Sequence, residues 1–154
     1  KVYREMHYVN AKAEGIFKTY WPDGKLKAEC PYHLGFPGIG LKEWKPDGKP
    51  VVEPEIKVEY FNRLAQSNEY IVKVFISNKT KDVKYYYQSL IDGKYLKTNS
   101  PVIMDEDGIL ELKYTVYPGN TSTKNILLCA KVRSDYGSEL ILKKQIYVTI
   151  NNSF

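Results

Sequence analysis

A four-residue turn sequence occurs twice in the first fifty residues and constrains the fold more than any other feature. Pro-Asp-Gly-Lys at 22–25 returns at 46–49, a period of 24 residues. Proline holds φ at about −65°, the aspartate side chain caps the turn, and glycine adopts a positive φ. Each copy therefore predicts a tight turn between two strands. A fixed period of this size is typical of stacked supersecondary units.

Residues beside the first turn alternate with the period of two that a half-buried strand requires. One face carries Leu26, Ala28, Cys30 and Tyr32, and the other carries Lys25, Lys27 and Glu29. Further pairs recur at the 24-residue period: Tyr8 with Tyr32, Lys18 with Lys42, and Tyr20 with Trp44. Gly15 and Gly40 are one residue out of step. This offset indicates a bulge or a difference in loop length.

The joint spacing of these residues resembles the bacterial variant of the MORN repeat, which is often described as an antitoxin-component repeat. The resemblance rests on Gly-x4-Tyr-Trp-Pro-Asp-Gly-Lys-Leu from Gly15, on Tyr32, and on Gly-x3-Trp-x2-Asp-Gly-Lys from Gly40, and it covers residues 8–52. It implies hairpins side by side in one sheet, with aromatic side chains stacked between repeats, and no catalytic residues. Because two units are few for a free-standing array, we expect the edge of this sheet to pack on another part of the chain.

The residue pattern changes after Gly48, where the repeat ends. Two prolines in residues 50–54 predict a short, stiff connector, which divides the chain into a repeat module at 1–52 and a second module at 55–154. The second module contains apolar alternations separated by turn signals, at 56–60, 72–76, 83–91, 95–96, 101–104, 110–116, 126–132 and 140–150. About seven strands in about 100 residues are typical of a β-sandwich. We therefore predict an all-β fold, an N-terminal β-hairpin repeat sheet followed by a seven-stranded antiparallel β-sandwich.

The second module resembles an immunoglobulin-like or macroglobulin-like module of bacterial surface proteins. Residues 104–112, Met-Asp-Glu-Asp-Gly-Ile-Leu-Glu-Leu, carry the closest match, an acidic turn that leads into an alternating strand. Residues 56–154 hold no Trp and one Cys, so the buried Trp and the inter-sheet disulfide of antibody domains are missing. The resemblance implies the architecture and a location at the bacterial surface.

Charge and termini exclude some partners. The net charge is +5, but the basic residues form no stripe: Arg occurs at 4, 63 and 133, and Lys143-Lys144 is the one basic doublet. We therefore expect no nucleic-acid partner. Because the chain begins at Lys1 rather than Met, we expect it to be a processed or trimmed form. A signal peptide or a lipid anchor N-terminal to Lys1 would fit this start.

Catalytic and metal-binding sets are weak in this sequence. His7 and His33 are the two imidazoles, and Cys30 lies on the opposite strand face from His33. The spacing of two Cys and two His fits no zinc site. Asp105, Glu106 and Asp107 concentrate oxygen atoms in one loop, but Asp-Gly favours a plain turn over a calcium site. We therefore expect no catalytic residues, no metal and no cofactor. Cys30 and Cys129 read as two buried small hydrophobes, with a bridge between them as the alternative.

Exposed aromatic side chains are the candidate binding residues. Amphipathic rings suit sugar rings and protein partners alike. Consecutive tyrosines at 85–87 place rings on both faces of one strand, so we expect Tyr86, or Tyr85 with Tyr87, to lie on an outer or interdomain face. The predicted set is Tyr20, Trp21, Trp44, Tyr85, Tyr86 and Tyr87. Ordinary core and cross-strand packing is the alternative explanation for these rings.

These observations predict a non-enzymatic, extracytoplasmic binding or scaffold protein. It would lie in the periplasm or on the outer cell surface and recognise a protein or a cell-envelope carbohydrate. A second hypothesis is an antitoxin-like regulatory protein that neutralises a toxin by direct binding, which rests on the repeat resemblance alone. A hydrolase that uses Cys30 or a histidine is the third.

Overall fold

The computed structural model describes residues 3–87, 90–99 and 107–153, and these residues are almost entirely β. The prediction of an all-β fold is confirmed. In chain order the described elements are β1 (Arg4–Glu5), β2 (Tyr8–Val9), β3 (Lys12–Ala13), β4 (Gly15–Tyr20), β5 (Leu26–His33), β6 (Phe36–Pro37), β7 (Lys42–Glu43), β8 (Ile56–Arg63), α1 (Leu64–Ser67), β9 (Glu69–Ile76), β10 (Val83–Tyr87), β11 (Leu110–Thr115), β12 (Thr121–Arg133) and β13 (Glu139–Asn151).

The chain forms two compact units. The first draws on 1–53, 89–101 and 130–142, and the second on 54–88, 102–129 and 143–154. The sequence assigns everything after residue 55 to the second module, whereas two later segments belong to the first unit. Backbone hydrogen bonds explain one of them: Ile39 N–H donates to Lys94 O, and Leu96 N–H donates to Pro37 O, each at 2.9 Å.

The first unit is built on one sheet in the order β1-β4-β5-β6, with β7 also paired to β5. The two Pro-Asp-Gly-Lys turns share one bonding pattern. Lys25 N–H donates to Asp23 Oδ1 at 3.0 Å, and Lys49 N–H donates to Asp47 Oδ1 at 2.9 Å. Gly24 and Gly48 have φ of +90° and +88°. The turn geometry therefore follows from the residue types in both copies.

Strand register decides which side chains share a face of this sheet. Phe17 lies opposite Cys30, and Thr19 lies opposite Ala28, between the antiparallel strands β4 and β5. On the other side of β4, Arg4 of β1 is also the partner of Thr19. Because alternate residues of a strand point the same way, these five side chains lie on one face.

The second unit contains two three-stranded sheets, in the orders β11-β9-β8 and β10-β12-β13, and β12 and β13 also contribute residues to the first unit. Apolar alternation on β9 produces the core, since Val72, Val74 and Ile76 are fully buried. The described residues thus hold six strands in these two sheets, against seven predicted. The strand predicted at 101–104 lies outside the described residues. The strand predicted at 83–91 ends at Tyr87.

A short helix and the two cysteines are the remaining features of the fold. The short helix α1 ends at Asn68, whose φ is +61°. Cys30 and Cys129 are both free and buried thiols, as expected for small hydrophobes. No helix in the described parts of the chain has the length and hydropathy needed to cross a membrane.

Candidate functional site

A groove of about 480 Å³ lies on the face of the first unit's sheet that carries Cys30. Strands β4 and β5 supply its floor, and the turn between β12 and β13 supplies one wall. The residues that line it are Tyr3, Arg4, Phe17, Thr19, Tyr20, Lys27, Ala28, Cys30, Tyr32, Tyr136, Gly137, Ser138 and Glu139. The volume lies within the roughly 300–1,000 Å³ of small-molecule sites.

The wall at residues 134–138 is a tight turn anchored on the sheet. Ser134 N–H donates to Ser138 O at 2.9 Å, and Gly137 N–H donates to Ser134 O at 2.9 Å. Gly137 has φ of +86°, a conformation that glycine adopts without strain. The Ser134 hydroxyl donates to Glu43 Oε2 at 2.7 Å. Because Glu43 is buried and is the register partner of Ala28 on the same face of the sheet, this bond holds the wall in place.

The floor of the groove is chemically inert. Cys30 is buried, and its Sγ lies 3.5 Å from the backbone oxygen of Glu139. Burial, with a smaller contribution from the charge of Glu139, raises the pKa of the Cys30 thiol to about 12. Since the thiolate is the nucleophilic form, the thiol is not activated at neutral pH. Cys30 therefore contributes to the floor as a neutral, buried thiol.

Tyr32 and Glu139 form a fixed polar pair beside that floor. The Tyr32 hydroxyl donates to Glu139 Oε2 at 3.0 Å, and Lys131 Nζ lies 3.9 Å from Glu139 Oε1. Burial and the charge of Glu139 raise the pKa of Tyr32 above its usual value. Tyr32 therefore stays neutral, and the Glu139 carboxylate is already engaged by a hydroxyl and an ammonium group.

Four further aromatic rings line the groove, those of Tyr3, Phe17, Tyr20 and Tyr136. The Phe17 ring meets the Tyr32 ring edge-on, with centroids 6.0 Å apart. The Tyr20 hydroxyl donates to Glu5 Oε1 at 2.9 Å, and this hydrogen bond is the main cause that raises the pKa of Tyr20. Tyr20 is thus held in one orientation at the groove.

Trp21 supports the groove wall without lining it. Its ring lies edge-on to Tyr136, with centroids 5.2 Å apart, and Lys27 Nζ sits 4.9 Å from the ring centroid. Its indole N–H donates to Trp44 O at 3.2 Å. Of the binding residues predicted in the first unit, Tyr20 lines the groove, whereas Trp21 and Trp44 are not among its lining residues.

The tyrosines at 85–87 belong to the second unit, and two of them are inaccessible. Tyr85 and Tyr86 are 0% and 1% exposed, whereas Tyr87 is 49% exposed. The expectation of an outer-face Tyr86, or of Tyr85 with Tyr87, is wrong for Tyr85 and Tyr86, because both are buried; of the three rings, that of Tyr87 is exposed. The Tyr85 hydroxyl donates to Gly108 O at 2.7 Å. Of the three rings, only that of Tyr87 can touch a partner.

His33 takes partners other than Cys30. Its Nδ1 lies 2.8 Å from Glu14 Oε2, and its ring centroid lies 5.3 Å from that of Tyr95. The hydrogen bond to His33 is the main cause that lowers the pKa of Glu14. These contacts join His33 to the residues around the start of β4 and leave it without a neighbouring nucleophile in the described part of the chain.

The described residues contain no group of three or more His, Cys, Asp and Glu side chains placed to hold a metal ion. Asp105 and Glu106, the two acidic residues before Asp107, lie outside the described residues. A second cavity of about 340 Å³ lies in the second unit, where Lys81 Nζ is 3.7 Å from Asp107 Oδ1. Its lining combines acidic and basic side chains with one aromatic ring, that of Phe75.

Sequence reasoning missed most of the groove. The alternation on β5 identified the face that carries Cys30 and Tyr32, which was the available signal. Tyr136 and Glu139 carry no local signal, because they reach the groove from a turn more than 100 residues later in the chain. Arg4 lies in a two-residue strand, too short for periodicity to reveal.

Comparison with known proteins returned no relative: no protein-family model, curated protein or solved structure matches this chain.

Proposed function

We propose that this chain is a non-enzymatic binding protein that recognises a saccharide in the groove of its first unit. One observation carries the proposal: rings of Phe17, Tyr20 and Tyr136 line a groove in which polar groups are held in fixed directions. Sugars present apolar C–H faces and polar hydroxyl edges together. A groove with aromatic walls and oriented hydroxyl and carboxylate groups complements both.

The polar groups at the groove are preorganised. Tyr20 and Tyr32 are each held by a hydrogen bond to a carboxylate, at 2.9 and 3.0 Å. Their side chains therefore lose little conformational freedom when a ligand binds, which favours affinity. Each tyrosine oxygen retains a lone pair that can accept a hydrogen bond from a sugar hydroxyl.

A binding role without catalysis agrees with the state of the reactive groups. Cys30, with a pKa raised to about 12 by burial, is not a nucleophile at neutral pH. Glu139 is engaged by Tyr32 and Lys131. A general acid or base must lie within hydrogen-bond reach of the proton that it transfers. The Glu139 carboxylate is instead bound to Tyr32 and Lys131.

An extracytoplasmic location is the second part of the proposal, and it rests on the resemblance of residues 55–154 to modules of bacterial surface proteins. Fractionation of the source cells with an antibody against the chain tests it. We expect the chain in the periplasmic or envelope fraction. Recovery in the cytoplasmic fraction alone would contradict it and would favour the antitoxin-like hypothesis.

Array binding tests the saccharide proposal. We expect the chain to bind a subset of cell-envelope glycans and no member of an unmodified peptide array. Tyr136→Ala removes a ring of the groove, and we expect about a tenfold loss of affinity, as truncation of an anchor ring gives. Tyr147→Ala, at a 65% exposed position in the second unit, is the matched control. Binding to peptides alone, or equal affinity in both variants, would contradict the proposal.

A further inference from the structure

We infer that the groove selects a saccharide that carries a carboxylate, such as a uronic acid, through Arg4. This inference rests on the proposed function and adds the chemical class of the ligand. It follows from the charge balance of the groove and from two groups that have no partner among the described residues, one guanidinium group and one buried hydroxyl.

Arg4 lines the groove, and no carboxylate in the described part of the chain forms an ion pair with it. It is exposed on the edge strand β1. Six lysines, by contrast, lie within 4.0 Å of a carboxylate. A guanidinium group presents parallel N–H donors that match the two oxygens of a carboxylate. Arg4 is therefore free to bind one.

The groove as a whole has an excess of positive charge. Among the described residues that line it, Arg4 and Lys27 are basic and Glu139 is acidic. The Lys27 ammonium group faces the Trp21 ring, 4.9 Å from its centroid, rather than a carboxylate. Glu139 is compensated by Lys131, which lies 3.9 Å away. Glu5, which accepts from the Tyr20 hydroxyl, is a further carboxylate beside the groove. Counting Glu5 and Lys131 with the lining residues leaves one positive charge, so an anionic ligand is attracted mainly by Arg4.

Thr19 supplies the second donor. Its register partner on β1 is Arg4, so the two side chains lie beside each other on the groove face. The Thr19 Oγ1 atom is buried and has no hydrogen-bond partner within the part of the chain that the structure describes. A buried hydroxyl without a partner is unfavourable. In the proposed complex this hydroxyl donates to an oxygen of the carboxylate that Arg4 binds.

One guanidinium group and one hydroxyl fit a carboxylate better than a phosphate or a sulfate. A carboxylate is planar, carries one negative charge and accepts a bidentate pair of bonds from a single guanidinium group. A phosphate monoester carries nearly two negative charges, and protein sites for it combine several cations or backbone N–H groups. We therefore assign the ligand as a uronic-acid saccharide.

Calorimetric titration with uronic-acid trisaccharides and their methyl esters tests the inference. The ester keeps the ring and the hydroxyl groups but removes the charge. We expect the wild-type chain to bind the acid about tenfold more tightly than the ester, which is the effect of a charge-assisted pair. Arg4→Gln should reduce this ratio to about twofold, and Thr19→Val should weaken binding of the acid severalfold.

The controls separate this inference from the proposed function. Arg63→Gln, which removes an exposed arginine of the second unit, should keep the tenfold ratio. Equal binding of acid and ester by the wild type, with both weakened by Tyr136→Ala, would overturn the inference and leave the proposed function standing. Tighter binding of sulfated or phosphorylated trisaccharides than of the acid would also overturn the inference. If the chain binds no saccharide at all, or binds only peptides through their terminal carboxylate, both fail.

Discussion

The indole N–H of Trp21 donates a hydrogen bond to the backbone carbonyl oxygen of Trp44, with 3.2 Å between the two atoms. Trp21 directly precedes the first Pro-Asp-Gly-Lys turn, and one residue separates Trp44 from the second. The bond therefore connects the first turn region to the second. Trp21 also contacts Tyr136 edge-on. One side chain therefore joins both turn segments to the groove wall.

Replacing Trp21 by Phe tests the hydrogen bond between Trp21 and Trp44. The variant keeps a ring but removes the N–H donor, so the Trp44 carbonyl oxygen loses its partner. We expect the free energy of unfolding to fall by about 1–2 kcal/mol, measured by urea denaturation. Tyr147→Ala, at an exposed position of the second unit, should change it by less than about 0.5 kcal/mol. A stability of W21F equal to that of the wild type would show that the bond contributes nothing.

Gly24→Ala and Gly48→Ala test the equivalence of the two turns. Both glycines have positive φ, +90° and +88°, and an added Cβ atom would meet no other atom within 4 Å at either site. The cost is therefore backbone strain alone, and we expect each variant to lose about 1–2 kcal/mol. The two losses should agree within experimental error. A loss at one site but not at the other would contradict a shared turn geometry.

The buried thiols predict a stability that depends on pH. Burial raises the pKa of Cys30 to about 12 and that of Cys129 to about 11, from an ordinary value of 9.0. Both states of the chain hold these protons below pH 9. Above that pH the unfolded chain releases them first, so stability is lost as pH rises from about 9 toward 12.

Thermal unfolding measured between pH 8 and 10.5 checks this prediction. Lysine and tyrosine side chains also titrate at high pH, so the comparison is with the double variant Cys30→Ala, Cys129→Ala. We expect its melting temperature to fall less steeply with pH than that of the wild type. Parallel slopes in the two proteins would contradict the raised pKa values.

Asn152 predicts a specific weak point in the second unit. Its side-chain amide donates to Val116 O at 2.8 Å and to Asn68 Oδ1 at 3.1 Å, and the residue is fully buried. Asn152→Ala leaves both acceptors without this donor, and we expect a loss of about 2–3 kcal/mol in urea denaturation. The neighbouring Asn151→Ala is the control, because Asn151 is exposed and its Oδ1 accepts from Thr121. A similar small loss in both variants would contradict the buried network.

Local chemistry predicted β4, β5 and the two Pro-Asp-Gly-Lys turns of the first unit, but not its two-residue strands such as β1. The φ of Gly24 and the shared face of Cys30 and Tyr32 follow from residue type and from the period of two. Tyr136 could not be placed in this way. Its position depends on the lengths of β12 and β13, 13 residues each, and no short-range pattern reports where such a hairpin ends relative to a sheet formed 100 residues earlier.

The tyrosines at 85–87 show a second limit of sequence reasoning. Alternation distinguishes the two faces of a strand, but it does not report whether one or both faces are covered. Tyr85 and Tyr86 point to opposite faces and are both buried, which depends on packing partners far away in the sequence. The sequence alone therefore does not distinguish an exposed tyrosine that binds a partner from a tyrosine that is buried in the core.

The most direct test of saccharide recognition is a two-dimensional NMR titration of the ¹⁵N-labelled chain with a uronic-acid trisaccharide. The account predicts saturable shifts of amide resonances in residues that line the groove, at 17–19, 28–32 and 136–139, with the resonances of 69–76 on β9 unchanged. Absence of any shift at millimolar trisaccharide, or shifts confined to the second unit, would contradict it.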